Sequence, residues 1–170
     1  MRQVGAHQRE RTKPRVPNEA WSLDFVADQL ADRHRFRTLT VVDVFTRECL
    51  AIDVGQSLKG NDGVEVLNRF RQDRGVPKML FCDQGAEFTS QIMDLWAYQS
   101  GVRMDFSRPG KPTDNAPVEF FNGTFQAECL NAHWFTSLNE ARKIIEAWRR
   151  EYNESRLHEE PGERGCRTNL

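Results

Sequence analysis

Three acidic residues have the type and placement that could do chemistry: Asp24, Asp83 and Glu119. Asp24 interrupts an apolar, aromatic-flanked run, WSLDFVAD, where an unpaired carboxylate is costly to desolvate unless a cation or a hydrogen-bond donor meets it. Asp83 follows the apolar run KMLFC, at the carboxyl end of a predicted strand, which is where α/β sheets present ligands. Glu119 lies one turn into a predicted helix. These positions make the three acids candidates for one site.

Each acid also has a structural explanation when it is taken alone. Asp24 could belong to a strand whose second face is wet, and Asp83 could form an ordinary Asp-x-Gly turn. Glu119 could be a surface residue favoured by the helix dipole. The three together are more informative, because neighbouring first and fourth strands would place Asp24 beside Asp83, and a later helix could lower Glu119 over them.

Three carboxylates at such close quarters repel one another, so the predicted site demands divalent cations. Oxygen ligands without His or Cys favour Mg²⁺ or Mn²⁺ over zinc. Two such ions, about 3.5 to 4 Å apart, can activate an attacking oxygen and stabilise a leaving oxygen in phosphoryl transfer. Cleavage and joining of a nucleic-acid backbone is a reaction of this type.

Strands and helices that alternate along the chain must position these acids. Period-2 runs predict three strands in an antiparallel meander, followed by helix, strand, helix and strand. We therefore expect an α/β fold with a mixed five-stranded sheet and helices on both faces. Two further helices follow, the second opened by the capping box Ser137 to Glu140. The strands are predicted over 21–28, 36–45, 48–54, 78–82 and 102–106, and the first three helices over 60–75, 89–101 and 113–130.

Two sets of large apolar residues are predicted to be buried. On the second helix these are Ile92, Leu95 and Trp96. The tryptophans Trp21, Trp96, Trp134 and Trp148 are interpreted as core residues rather than as platforms for stacked bases.

Composition limits the class of protein. The chain has 170 residues, of which 38% are hydrophobic and 29% charged. No run approaches the roughly 18 apolar residues of a membrane span, and the first residues lack the apolar stretch of a secretory signal. We expect an intracellular, cytoplasmic protein with no membrane partner. The cysteines Cys49, Cys82, Cys129 and Cys166 are too far apart to indicate zinc or a disulfide framework, and we expect reduced, mostly buried thiols.

Charge is unevenly distributed along the chain. Residues 1–17 carry five basic groups and one acidic group, whereas the remainder carries 19 basic and 24 acidic groups. We predict a basic flexible arm over 1–17, a folded core over 18–156 and a disordered charged tail over 157–170. The arm could contact phosphate, or it could be a solvated chain end. Charge alone does not distinguish between these interpretations.

The segments WSLDF around Asp24, CDQGAEF around Asp83 and TDNAPVEFFNGTF around Glu119 resemble the catalytic core of bacterial insertion-sequence transposases of the DDE class, which are related to retroviral integrases. Thirty-five residues separate Asp83 from Glu119, a spacing typical of that class. The resemblance implies a ribonuclease-H-like fold, two Mg²⁺ or Mn²⁺ ions held by Asp24, Asp83 and Glu119, and strand transfer in which a DNA 3′-hydroxyl attacks a phosphodiester. The implied partners are DNA and either a full-length transposase or further copies of the chain.

Residues near the third acid are candidates for DNA contact. Helical spacing places Asn122, Gly123 and Gln126 on the face that carries Glu119. Asn122 can offer its amide to a phosphate, and Gly123 either lets a DNA backbone approach or serves close packing of the helix on the sheet. The remaining candidates are Arg108 and Lys111, in a basic loop, and Asn115, which is expected to cap the helix first and contact DNA second.

The chain departs from the family pattern at several points. Gln126 stands where the family usually has Lys or Arg, and Phe120 stands where a small polar residue is usual. The Arg-Pro-His ending and a helix-turn-helix region for recognising transposon ends are not found, so we expect a partial transposase. Two hypotheses follow: a metal-dependent transposase core, or a catalytically impaired remnant that only binds DNA or a transposase. A structure-selective nuclease is a third, less favoured by the Asp-Asn-Ala block.

Overall fold

The computed structural model describes residues 13–83, 85, 88, 90–107 and 116–157. Within these residues, five strands and four α-helices form in the predicted order, and one π-helical turn extends the third helix. The strands are β1 (Ala20–Gln29), β2 (Arg35–Asp43), β3 (Cys49–Gly55), β4 (Met79–Cys82) and β5 (Arg103–Phe106). The helices are α1 (Gly60–Asp73), α2 (Gln91–Ser100), α3 (Ala116–Phe125) and α4 (Leu138–Leu157), and the π-helical turn spans Gln126–Leu130.

The sheet has the strand order β3-β2-β1-β4-β5. The first three strands pair antiparallel, whereas β4 pairs parallel with both β1 and β5. The mixed five-stranded sheet is therefore confirmed. Because β1 and β4 are parallel neighbours, their carboxyl ends meet at the same edge of the sheet.

Both faces of the sheet are covered by helices. One apolar cluster joins Trp21 and Leu23 of β1 to α1 and α2. A second cluster packs α3 and α4 on the opposite face, with Phe121 and Ile145 at its centre. The alternation of β1 explains this arrangement, because successive side chains enter opposite clusters. Asp24 thus belongs to a face that α3 and α4 cover, and its interpretation as part of a wet face is wrong.

The rotation of α2 differs from the prediction. Met93, Trp96 and Ala97 are buried, whereas Ile92 and Leu95 are 39% and 55% exposed. Both sets have helical spacing, so the sequence pattern alone does not determine which face of α2 is buried. Contacts with α1 and β5 decide which set is buried.

Two further expectations about buried residues have mixed outcomes. Trp134 is 83% exposed, so its assignment to the core is wrong, although Trp21 and Trp96 are buried and Trp148 packs against the second cluster. The thiols of Cys49, Cys82 and Cys129 are free and buried, as expected. Cys166 lies outside the described residues.

The capping box before α4 forms in part. The backbone N–H of Glu140 donates to Oγ of Ser137 over 3.1 Å. The carboxylate of Glu140 reaches back to Thr136, whose backbone N–H and hydroxyl both donate to it, rather than to Ser137. The cap at the start of α4 therefore includes Thr136 in addition to the Ser137 and Glu140 of the sequence signature.

Within the described part of the chain, no helix has the length and apolar character needed to cross a bilayer. Most of the predicted basic arm and nearly all of the predicted tail lie outside the described residues.

Candidate active site

Asp24 and Asp83 are brought together by the parallel pairing of β1 with β4. Ser22 is paired with Phe81 in this ladder. Asp24 lies two residues after Ser22, and Asp83 lies two residues after Phe81. Continuing the register of the ladder past this pair therefore places the two acids side by side. The expected adjacency of the first and fourth strands is confirmed, and Asp83 lies near enough to raise the pKa of Asp24.

Asp24 is partly buried between the sheet and α3. Burial raises the pKa of Asp24 from its usual value of 3.8 to about 6, and the negative charges of Asp83 and Glu119 raise it as well. Hydrogen bonds from the backbone of Phe25 and the side chain of Asn122 act in the opposite direction. Asp24 is therefore a carboxylate whose ionised form is disfavoured unless positive charge is supplied.

Asp83 is one of the three acids, and it also forms the Asp-x-Gly turn that the sequence offered as a structural explanation. Its Oδ1 atom accepts a hydrogen bond of 2.8 Å from the backbone N–H of Gly85. Such a turn fixes the side chain at the end of β4. The structural and chemical interpretations of Asp83 are thus compatible.

Glu119 reaches the same region from α3. It lies in the first turn of this helix and is exposed. The buried side chains of Val118 and Phe121 anchor the helix to the sheet. Pro117 occupies the first turn, where its missing N–H is tolerated. The packing of α3 on β1 and β2 carries Glu119 close enough to influence the pKa of Asp24.

Asn122 and Thr40 extend the site in a way that the sequence did not indicate. The Nδ2 atom of Asn122 donates to Oδ2 of Asp24 over 2.9 Å. The hydroxyl of Thr40 donates to Oδ1 of Asn122, also over 2.9 Å. Thr40 was not among the predicted site residues. The strand that carries it contains several other polar residues, Thr38 among them, so nothing in the sequence distinguished Thr40.

Gly123 and Gln126 have different environments. A Cβ atom added to the exposed Gly123 would meet nothing within 4 Å among the described residues, so close packing on the sheet does not explain this glycine. The side-chain amide of Gln126 donates to Oδ1 of Asn131 over 2.7 Å, across the π-helical turn. The DNA contacts predicted for Asn122, Gly123 and Gln126 stay predictions. Arg108, Lys111 and Asn115 lie outside the described residues.

The donor chemistry of the three acids fits a hard divalent cation. All the available atoms are carboxylate oxygens, and their mutual repulsion would be relieved by positive charge. Among the described residues, no group of three or more His, Cys, Asp or Glu side chains already stands in an arrangement that could hold a metal ion. Asp83 and Glu119 both influence the pKa of Asp24, Glu119 from an exposed position on α3.

Comparisons with known proteins identify the family to which the chain is similar. The family described as "Integrase core domain" matches residues 14–112, which is more than half of the chain. A second family of the same description matches residues 100–164.

Two relatives come from bacterial insertion elements. An uncharacterised 31.7 kDa protein of insertion element IS407 from Burkholderia multivorans is 50% identical over 145 residues, covering 85% of this chain and 52% of the relative. The transposase for insertion sequence element IS904 from Lactococcus lactis is 26% identical over 152 residues, covering 86% of this chain and 58% of the relative. The chain therefore spans little more than half the length of these relatives.

A solved structure shares the fold. The HTLV-2 integrase catalytic core domain, in its trimeric form with magnesium, superposes with a TM-score of 0.56 at 17% identity, covering 76% of this chain and 84% of that one. This similarity supports the ribonuclease-H-like fold.

Proposed function

The chain belongs to the integrase core domain family, and we propose that it is a transposase catalytic domain that cleaves and joins DNA phosphodiesters with the help of divalent cations. The observation that carries this proposal is the grouping of Asp24, Asp83 and Glu119, in which burial and then the charges of Asp83 and Glu119 raise the pKa of Asp24 to about 6. A carboxylate partly buried beside two like charges is unfavourable for folding alone. Its presence is understandable where a cation completes the site.

In this proposal, Asp24, Asp83 and Glu119 are the metal ligands, and two Mg²⁺ or Mn²⁺ ions are bound. When bound, such a pair supplies charge stabilisation to both the attacking and the leaving oxygen of an in-line displacement. Asp24 and Asp83 contribute the rigid part of the ligand set, because a paired strand and a hydrogen-bonded turn hold them. Glu119 contributes a ligand whose exposed side chain on α3 is free to change its rotamer.

DNA is the proposed substrate, and the exposed side of α3 is its proposed contact surface. Gly123 offers room for a sugar-phosphate backbone beside Glu119, because nothing among the described residues lies within 4 Å of its added Cβ. Asn122 and Gln126 would add neutral amide donors. Arg108, Lys111 and Asn115 are proposed to add contacts from the preceding segment. Phosphate contacts of this kind position DNA without reading its sequence.

Assembly with further copies or with a longer transposase is also part of the proposal. The HTLV-2 integrase catalytic core domain, which shares the fold, is described in a trimeric form, and this supports assembly of copies. Association with the nucleoid would follow from DNA binding.

The proposal is tested by nicking of supercoiled DNA in the presence of Mn²⁺. We expect nicking by the unchanged protein and its loss in Asp83→Asn, which removes one ligand charge while keeping the shape of the side chain. Asp73→Asn, an exposed position on α1, is the matched control and should keep full activity. Equal activity in Asp83→Asn would contradict the catalytic assignment, and DNA binding without nicking in any variant would favour the impaired remnant.

A further inference from the structure

The carboxylate of Asp24 is held at both of its oxygen atoms. Oδ1 accepts a hydrogen bond of 2.9 Å from the backbone N–H of Phe25. Oδ2 accepts one of 2.9 Å from Asn122, which is 98 residues away in the chain. A carboxylate with a single donor can turn about its terminal torsion, whereas donors on both oxygens define its plane.

The Asn122 amide is held at both ends, by the Asp24 carboxylate at its nitrogen and by the Thr40 hydroxyl at its oxygen. The Thr40 hydroxyl donates to Oδ1 of Asn122 over 2.9 Å, and it also lies 3.3 Å from the backbone oxygen of Asp24. An ionised carboxylate can only accept, so the amide must turn its nitrogen toward Asp24 and its oxygen toward Thr40. A turned amide would bring two acceptors together at Asp24.

These three residues lie on three different elements that are themselves well fixed. Thr40 on β2 is the cross-strand partner of Asp24 on β1, and its side chain is fully buried. Its β-branched side chain has restricted freedom about χ1. Asn122 lies on α3 between the buried Phe121 and the exposed Gly123. The hydrogen bonds therefore tie the helix that carries Glu119 to the strand that carries Asp24.

We propose that Asn122, and Thr40 acting through it, are positioning residues that hold the Asp24 carboxylate in the orientation needed for a divalent cation. This inference rests on the proposed function, because it assigns these two residues to the same site. It also changes the main role expected for Asn122 from contact with phosphate to support of a ligand. Partners of this kind usually affect metal affinity by about 10- to 100-fold when they are removed.

Mn²⁺ binding to the full chain, measured by calorimetry without DNA, tests the proposal independently of activity. Thr40→Val removes the hydroxyl and keeps the shape of the side chain, and we expect it to weaken Mn²⁺ binding about tenfold. Thr40→Ser keeps the hydroxyl and should bind within about threefold of the unchanged protein, on the same scale of effects. Asn122→Ala should weaken binding at least as much as Thr40→Val.

Thr38→Val is the matched control. Thr38 is also fully buried, on the same face of the same strand, and its hydroxyl donates to the backbone oxygen of Val26 over 3.1 Å. A purely structural role for Thr40 predicts similar losses of melting temperature in Thr38→Val and Thr40→Val, with Mn²⁺ binding retained in both. We expect the loss of Mn²⁺ affinity in Thr40→Val alone.

Asp24→Asn separates the failure of this inference from failure of the proposed function. If the unchanged protein binds Mn²⁺ and Asp24→Asn does not, the metal site stands. Normal binding by both Thr40→Val and Asn122→Ala would then overturn the positioning role. If the unchanged protein itself binds no Mn²⁺, both proposals fail. Should Thr40→Val not fold, the comparison of Asn122→Ala with the unchanged protein decides the outcome.

Discussion

The side-chain amide of Asn153 on α4 pairs with the backbone of Cys49 on β3 through two hydrogen bonds. The N–H of Cys49 donates to Oδ1 of Asn153 over 2.8 Å, and Nδ2 of Asn153 donates to the carbonyl oxygen of Cys49 over 2.9 Å. Arg149 also donates to that oxygen. The strand is irregular here, because the pairing with β2 shifts register between Val41 and Val42. The helix thus satisfies the backbone where the ladder is disturbed.

We expect Asn153→Ala to lower the free energy of unfolding by about 2 kcal/mol, because it leaves buried backbone groups without their partner. Urea denaturation followed by circular dichroism measures this change. Asn139→Ala is the control, since Asn139 is an exposed residue of the same helix and should change stability by less than about 0.5 kcal/mol. Equal effects of the two substitutions would show that the Cys49 contact is unimportant for stability.

Asp24→Asn should stabilise the metal-free protein at pH 7.5. The pKa of Asp24 rises from 3.8 to about 6 on folding. The free energy of unfolding is therefore highest below pH 3.8, as far as Asp24 is concerned. It falls as pH rises through 6, and the loss reaches about 3 kcal/mol at neutral pH. The difference between the two proteins should be small at pH 3.5 and large at pH 7.5.

Denaturation at the two pH values, without divalent ions, measures this difference. Addition of Mg²⁺ at pH 7.5 should raise the melting temperature of the unchanged protein and not that of Asp24→Asn. A less stable Asp24→Asn protein at pH 7.5 would contradict the electrostatic account of the site.

Gly123→Ala should separate folding from DNA binding. Alanine is favoured over glycine inside a helix, and its methyl group would have space, so stability should rise by about 0.5 to 1 kcal/mol. DNA affinity should fall, because the methyl group occupies the room proposed for the DNA backbone. Fluorescence anisotropy with labelled DNA measures the affinity, and Thr124→Ala is the neighbouring control. Unchanged affinity would remove Gly123 from the proposed contact surface.

Gln126→Arg should strengthen DNA binding and steepen its dependence on salt. One additional phosphate contact changes the slope of log K against log salt by about 0.9. Because Gln126 bonds to Asn131 across the π-helical turn, Gln126→Ala serves as the control for loss of that bond. An identical salt slope in Gln126→Arg and the unchanged protein would mean that this residue does not face the substrate.

The order of the elements and the positions of the acids could be predicted from local patterns. Alternation in β1 predicted which side chains share a face with Asp24, and Gly101 predicted the end of α2, where it adopts the left-handed conformation with φ 69°. These signals lie within a few residues of what they determine. The same is true of the turn at Asp83, which needs only the Gly85 two positions later.

Contacts between distant residues decided the rest. Whether α2 buries Met93 or Leu95 depends on what packs against it, since both positions fit a helical stripe. The bonds from Thr40 to Asn122 and from Asn122 to Asp24 require a particular pairing of β1 with β2 and a particular rotation of α3.

The amino-acid sequence by itself thus determined the local elements, the three acids and the chemistry that those acids permit. The tertiary structure alone decided that hydrogen bonds run from Thr40 to Asn122 and from Asn122 to Asp24. It also decided that no described residue lies within 4 Å of a Cβ added to Gly123, and that Gln126 bonds to Asn131. The physical reason is that local conformation depends on neighbours in the chain, whereas side-chain hydrogen bonds and burial depend on how complete elements pack.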